Sequence, residues 1–251
     1  MMTRAFFIQL KREFGSILLS PIAYVIFVCL AFVNGISFMQ CVHLAAQGVR
    51  DYTVMQIFFY IVYFWFVLLV LMPALTMRLF SEEYKSGTIE TLLTAPLSEW
   101  DVVLSKFFAA VGFYMILWVP TLLYLAVFQI LTRHQLPIVW EPILLSYFIV
   151  LLIGMFWISI GMFTSSLTKN QIVAAILSFT IIATLFFVGF LSYIIKDSSV
   201  KEILSYIFAY DHTQQYSQGY FDSRPLIFYL SGTALFLALT HHVLTSRKHN
   251  D

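Results

Sequence analysis

Eight charged side chains gather in one segment, RLFSEEYKSGTIETLLTAPLSEWDVVLSK: Arg78, Glu82, Glu83, Lys85, Glu90, Glu99, Asp101 and Lys106. The whole chain of 251 residues carries only 14 Lys+Arg and 13 Asp+Glu. The chemistry these residues offer is recognition rather than bond-making. Glu82, Glu83 and Glu90 can pair with basic groups, while Ile89, Leu92 and Leu93 share one helical face. Both flanks are almost without polarity, so this polar island has to meet something in water.

Reactive constellations elsewhere are sparse. Asp211, His212 and Asp222 come nearest to a metal-ligand set, but their spacing matches no ligand pattern and no metal is expected. The sequence has no G-x-x-x-x-G-K-[ST] phosphate loop, so it cannot hold and hydrolyse ATP in that way. It also lacks H-E-x-x-H and G-x-S-x-G, the marks of the usual intramembrane proteases and lipases. His241 and His242, near an expected membrane boundary, read as interfacial. Cys29 and Cys41 lie about 18 Å apart along one helix, too far to bridge. The chain therefore reads as no enzyme, and any work it does is downhill or driven by another subunit.

The elements that position the charged island are apolar and long. The chain is 61% hydrophobic and 18% aromatic, with a mean hydropathy of +0.87, outside the range of soluble domains. Its charges bound uncharged intervals, each able to hold the roughly 20 residues of a membrane helix. Six spans are expected near 20–42, 55–77, 103–131, 143–166, 172–195 and 225–245. Helices satisfy their own backbone in lipid, and no ten-residue alternation of a barrel is present. The uncharged intervals leave no proton relay in lipid, which argues against a proton-coupled carrier.

Orientation follows from Lys and Arg. With both termini inside, the cytoplasmic side holds nine of them (Arg4, Lys11, Arg12, Arg78, Lys85, Lys106, Lys169, Arg247, Lys248) and the outside five. A net charge of +1, without a basic stripe, predicts no nucleic-acid partner. The first apolar run is long and lacks a clean small-residue exit, so it is expected to stay as a membrane helix rather than be cleaved.

Local signals divide the rest. Residues 3–19 predict an amphipathic interfacial helix, with Phe6, Phe7, Leu10, Phe14, Ile17 and Leu18 on the apolar arc and Gln9, Arg12 and Glu13 opposite. Pro21 turns the chain into the membrane. Between spans two and three, Gly87 is a natural stop, Thr88 can cap a short helix ending at Pro96, and Ser98-Glu99-Trp100-Asp101 is a capping-box pattern. The 78–101 segment thus predicts a helix–turn–helix elbow. Residues 196–224 predict short helices against the outer interface, with a capping pattern at Ser199–Glu202, a cap at Asp211 and a stop at Gly219. Small pairs at Ala31/Gly35, Gly161/Ser165 and Ala174/Ser178 suit close helix packing. Polar Asn34, Gln129, Ser159, Thr164, Ser178, Thr180 and Thr184 are expected mostly to bond between helices.

Met77-Arg78-Leu79-Phe80-Ser81-Glu82-Glu83, followed by Gly87-Thr88, Glu90, Leu92-Leu93 and Pro96-Leu97-Ser98, resembles the signature of ABC-2 type transporter permeases. The nearest look is to the gliding-motility-type branch. Lys11-Arg12-Glu13-Phe14 with Ser20-Pro21 resembles the N-terminal elbow of that family, and Gly219 with Asp222-Ser223-Arg224 resembles the same branch. Tyr220-Phe221 and Pro225 depart from it.

The resemblance implies one all-α transmembrane domain over 1–251, in the bacterial cytoplasmic (inner) membrane, moving substrate by alternating access as an exporter. It implies a second permease, as a homodimer or with a sister chain, and two ABC ATPase subunits that carry the ATP and Mg. This chain would bind no cofactor itself. Glu82, Glu83, Gly87, Thr88, Ile89, Glu90, Leu92, Leu93 and Pro96 would form the coupling interface, with Arg78, Lys11 and Arg12 as membrane-surface anchors. On the residues alone, a membrane scaffold recruiting a cytoplasmic protein and a facilitative or sodium-coupled carrier stay open.

Overall fold

The structure, a computed structural model, describes residues 4–47, 53–88, 98–131, 139–195 and 197–250. It is all helical among the described residues. Arg4–Leu18 forms α1 and Pro21–Ala46 forms α2, joined at a corner where Pro21 opens the second helix. Val54–Tyr60 is α3, Val62–Thr76 is α4 and Ser81–Ser86 is α5. Glu99–Leu117 and Val119–Leu131 are α6 and α7; Trp140–Leu167 and Gln171–Phe190 are α8 and α9. A single 3-10 turn at Leu191–Tyr193 leads to the short α10, Ser198–Ser205, and α11, Ala209–Ser217, before the long α12, Ser223–Asn250.

Six of these stretches are long and apolar enough to cross a bilayer: Pro21–Leu44, Phe64–Ser86, Glu99–Leu131, Trp140–Leu167, Gln171–Tyr193 and Ser223–Arg247. Their number and order match the expectation. Two differ in detail. The second span does not begin as one helix near residue 55, because Ile61 is extended (φ −76°, ψ 113°) and separates α3 from α4. Buried Trp65 donates its Nε1–H to the Phe59 carbonyl at 3.2 Å, which satisfies one backbone group freed by the break. The third span bends at Trp118, just ahead of Pro120, whose missing N–H cannot continue the ladder.

The fourth span, α8, is the hub. It packs on α12, α9, α11, α4 and α6, and Ile149, Ile158, Ile160 and Met162 on it are fully buried. Close approach comes from small residues. A Cβ on Gly161 would stand 1.9 Å from Thr76 Oγ1, so α4 and α8 touch backbone to side chain there. Gly154 makes the same allowance for Tyr114, whose hydroxyl donates to the Val150 carbonyl at 3.1 Å. The Ala31/Gly35 pair meets Tyr124, which donates to the Ala31 carbonyl at 3.2 Å. Polar residues inside the spans behave otherwise than expected: Ser159, Thr164 and Thr180 bond back to carbonyls of their own helices.

The segment before the last span folds as short helices. α10 starts at Ser198, ahead of the Ser199 expected to cap it. In α11, Asp211 lies in the first turn instead of at the cap, and accepts a hydrogen bond from Tyr193 Oη at 2.6 Å. Gly219 does end α11: with φ +91° it lets Gly219 N–H reach the Tyr216 carbonyl and Tyr220 N–H the Gln215 carbonyl.

Candidate functional site: the charged elbow

The elbow is assembled from four helix ends. Helix α4 runs out at Thr76, and residues 77–80 continue as a turn in which Met77 N–H reaches the Pro73 carbonyl (2.9 Å) and Leu79 N–H the Thr76 carbonyl (3.1 Å), leaving the N–H groups of Phe80 and Ser81 to be met from elsewhere. Ser165 on α8 supplies what that turn lacks. Its Oγ accepts from Phe80 N–H (3.0 Å) and Ser81 N–H (3.1 Å) and donates to the Met77 carbonyl (2.9 Å). Ser81 Oγ donates to the same carbonyl. Helix α5 then makes six residues and stops at Gly87, whose φ of +72° places it in the left-handed region that glycine enters freely. Gly87 thus ends its helix as expected.

Past the elbow, Ser98 starts α6 with a complete capping box. Its Oγ accepts from Asp101 N–H at 3.1 Å, and Asp101 Oδ2 accepts from Ser98 N–H at 3.2 Å. That start fixes the register of α6 and carries Lys106 inward to 2% exposure.

Lys106 is the centre of the site. Its Nζ donates to Glu13 Oε2 on α1 at 2.9 Å and to Glu83 Oε1 on α5 at 2.8 Å, and stands 5.3 Å from the Phe80 ring centre. Glu13 is further held by Gln9 Nε2 at 2.6 Å and Arg12 Nη2 at 3.0 Å, both on its Oε1. Burial alone would raise the Glu13 pKa. Lys106, with help from Arg12, outweighs that and holds it below the usual carboxylate value, so it is charged at neutral pH. A buried cation between two carboxylates, each from a different helix, ties α1, α5 and α6 at one point.

A second set of contacts surrounds the first. Arg78 Nε lies 3.2 Å from Glu82 Oε2, and Arg78 Nη1 donates to Ser20 Oγ at the α1–α2 corner at 3.0 Å. From the last helix, Arg247 Nη2 donates to the Leu167 carbonyl at 2.9 Å, and its guanidinium covers the Tyr84 ring at 4.4 Å. His241 stacks on Trp100 at 4.3 Å between centroids, with Nε2 3.6 Å from Glu99 Oε2. Helices α1, α2, α6, α8 and α12 are thereby all bonded to the elbow or to its neighbour.

Of the residues expected to form the coupling face, Glu82, Glu83, Gly87 and Thr88 are described; Ile89, Glu90, Leu92, Leu93 and Pro96 lie outside the described residues. Glu82 is half exposed beside Arg78. Glu83 turns inward and is held by Lys106 of its own chain. Lys11 is exposed, as is Arg12 apart from its bond to Glu13. Arg78 anchors the elbow, but to the α1–α2 corner. The face of α1 toward the bundle is also not the purely apolar arc: Phe6, Gln9 and Glu13 are its most buried side chains, while Phe7 is 57% exposed. Glu13, Lys106, Ser20 and Ser165 were singled out in the sequence, but their roles in joining the helices here were not foreseen. A usable signal existed for Lys106 alone, which falls one helical turn inside an apolar run.

No group of three or more His, Cys, Asp or Glu able to hold a metal occurs among the described residues. Six membrane-length helices in one bundle define a multi-pass helical membrane protein. The chain belongs to the ABC-2 transporters: the family model described as ABC-2 family transporter protein matches residues 10–246. Comparison with individually curated proteins gives no match. Membership makes it a transmembrane permease subunit of an ABC transporter, a component without its own ATPase site that works with ABC ATPase subunits.

Proposed function

We propose that this chain exports its substrate by alternating access, paired with a second permease and driven by two ATPase subunits docking on the elbow from the cytoplasm. The N- and C-termini lie on that same side, in the inner membrane of a bacterium, with α1 in the interface. The carrying observation is the bonding of Lys106 to Glu13 and Glu83. An ATPase that pushes 82–96 displaces α5, and through this buried cluster the push reaches α1 and α6 together, while Ser165 passes it to α8. Such a rigid junction suits a lever, because rocking one bundle against another needs the pushed element and the spans to move as a body. Glu82 and Glu90 offer negative charge to basic groups on the ATPase, and Ile89, Leu92 and Leu93 supply the apolar contact.

The test is to replace Leu92 and Leu93 by Asp and purify the complex. The double variant inserts normally but no longer couples ATP hydrolysis to transport, and retains less ATPase on co-purification. Wild-type retention and transport in that variant would refute the proposal. Co-purification of a partner that does not bind ATP would favour a scaffold instead.

A further inference from the structure

The elbow borders a cavity. A cleft of about 520 Å³ opens between the α1–α2 corner and the α4–α5 corner, within the size range of small-molecule sites. Its two halves differ in chemistry. Ile22, Ile26 and Leu75 line it from the two spans, and Ser16, Ser20, Arg78, Glu82 and Glu83 line it from α1 and the two corners. The cleft is thus graded from apolar to charged in the direction in which a membrane passes into water.

Its charges narrow the occupant. Arg78 and Lys106 face Glu13, Glu82 and Glu83 around the cleft, two cations against three carboxylates, for a net charge of −1. That balance disfavours a purely anionic ligand and suits one bearing a cation beside its phosphate. Lys106 is engaged by Glu13 and Glu83, which leaves Arg78, a third exposed, as the anion-binding group. Glu83 has engaged only one oxygen. Its Oε2 is shielded from water and has no hydrogen-bond partner among the described residues. A buried carboxylate oxygen calls for a donor, and a primary ammonium brings three. A guanidinium presents its planar fork to a phosphate, and the Ser20 hydroxyl beside it can donate as well.

We propose that this cleft binds an aminophospholipid, with the phosphate at Arg78 and Ser20, the ammonium at Glu83, and the acyl chains along Ile22, Ile26 and Leu75. The assignment needs only that the spans lie in a bilayer, and does not depend on where the ATPase docks.

The full-length chain in detergent, titrated with dihexanoyl lipids and followed by native mass spectrometry, tests it. Dihexanoyl phosphatidylethanolamine binds saturably, and phosphatidylglycerol, which lacks the ammonium, binds about tenfold more weakly, the worth of one charge-assisted contact. Phosphatidylcholine is also weaker, since its quaternary nitrogen has no N–H to give Glu83. Arg78→Gln lowers ethanolamine-lipid affinity by a similar factor. Ser16→Trp fills the exposed rim without touching the ion cluster, so it abolishes binding while thermal unfolding stays unchanged. Equal binding of phosphatidylglycerol overturns the proposal, as does inorganic phosphate competing as well as the lipid. Full ethanolamine-lipid binding by a folded Ser16→Trp variant overturns it too.

Discussion

Lys106 shows at the scale of single residues how a charge is kept in an apolar bundle. Its ammonium is removed from water, and two carboxylates and the Phe80 face replace the lost hydration. Removing it strands two buried carboxylates. Lys106→Met should therefore cost about 3–5 kcal/mol, read as a lower unfolding midpoint in detergent. Neutralising all three in Glu13→Gln/Lys106→Met/Glu83→Gln should restore most of it, because no buried charge is left alone. Acid should weaken the Glu13 contribution: its pKa sits below the unfolded value, so its stabilisation is full above that value and fades as pH falls through the folded one. His212, 4% exposed with Nδ1 2.8 Å from Tyr229 Oη, has the opposite charge chemistry and the same sign. Burial depresses its pKa to about 4 against the pull of the Ser205 backbone and Asp222. The unfolded chain takes up that proton from pH 6.5 downward and the folded chain does not, so stability declines between 6.5 and about 4, by about 3 kcal/mol in all. His212→Gln should flatten that part of the stability–pH profile, which thermal unfolding at stepped pH would measure.

Helices in this protein meet where small residues let them, and one contact is a sensitive test. The α4–α8 crossing depends on Gly161 facing Thr76, so Gly161→Ala forces the two apart or Thr76 out of its bond to the Met72 carbonyl. Overpacking of this kind costs about 1–3 kcal/mol, and the unfolding midpoint should fall although helix propensity rises. At this scale the sequence was informative wherever the signal is local. The number and order of the six apolar runs, the Ser98–Asp101 capping box, and the stops at Gly87 and Gly219 are each decided by local signals, and each is as expected. The break at Ile61 has no such signal. An uncharged run of about 26 residues would span about 39 Å as one helix, longer than the hydrocarbon core. The chain instead separates α3, where Thr53 caps the helix and donates to the Ser217 carbonyl of a segment 164 positions later. Glu13 was misread for a related reason. Helical projection places it on the polar face of α1, and only the packing of α1 on α6 reveals that its partner is 93 residues away.

The whole molecule is bonded most densely at one end. Glu13, Lys106 and Glu83 join α1, α6 and α5; Arg78 reaches Ser20, Ser165 holds the turn after α4, and Arg247 binds the end of α8. Along the spans, by contrast, most contacts are apolar and aromatic, such as Trp65 against Phe186 and Trp157, with single hydrogen bonds such as Tyr114 to the Val150 carbonyl. On the proposed mechanism the elbow is gripped and the spans yield above it, because a buried ion cluster resists separation. The charge-free triple variant separates strength from linkage. It should fold nearly as well as the wild type, because the stranded charges are gone, yet α5 would no longer be bound to α1 and α6 by ionic bonds. Spin labels on α5 and α6 should then report a broader distance distribution than in the wild type. On the proposed mechanism, a complex carrying this variant keeps its ATPase activity but loses the dependence of that activity on transport. A variant with wild-type distances and wild-type coupling would show instead that the cluster only stabilises the fold, and that the push travels through Ser165 and α8.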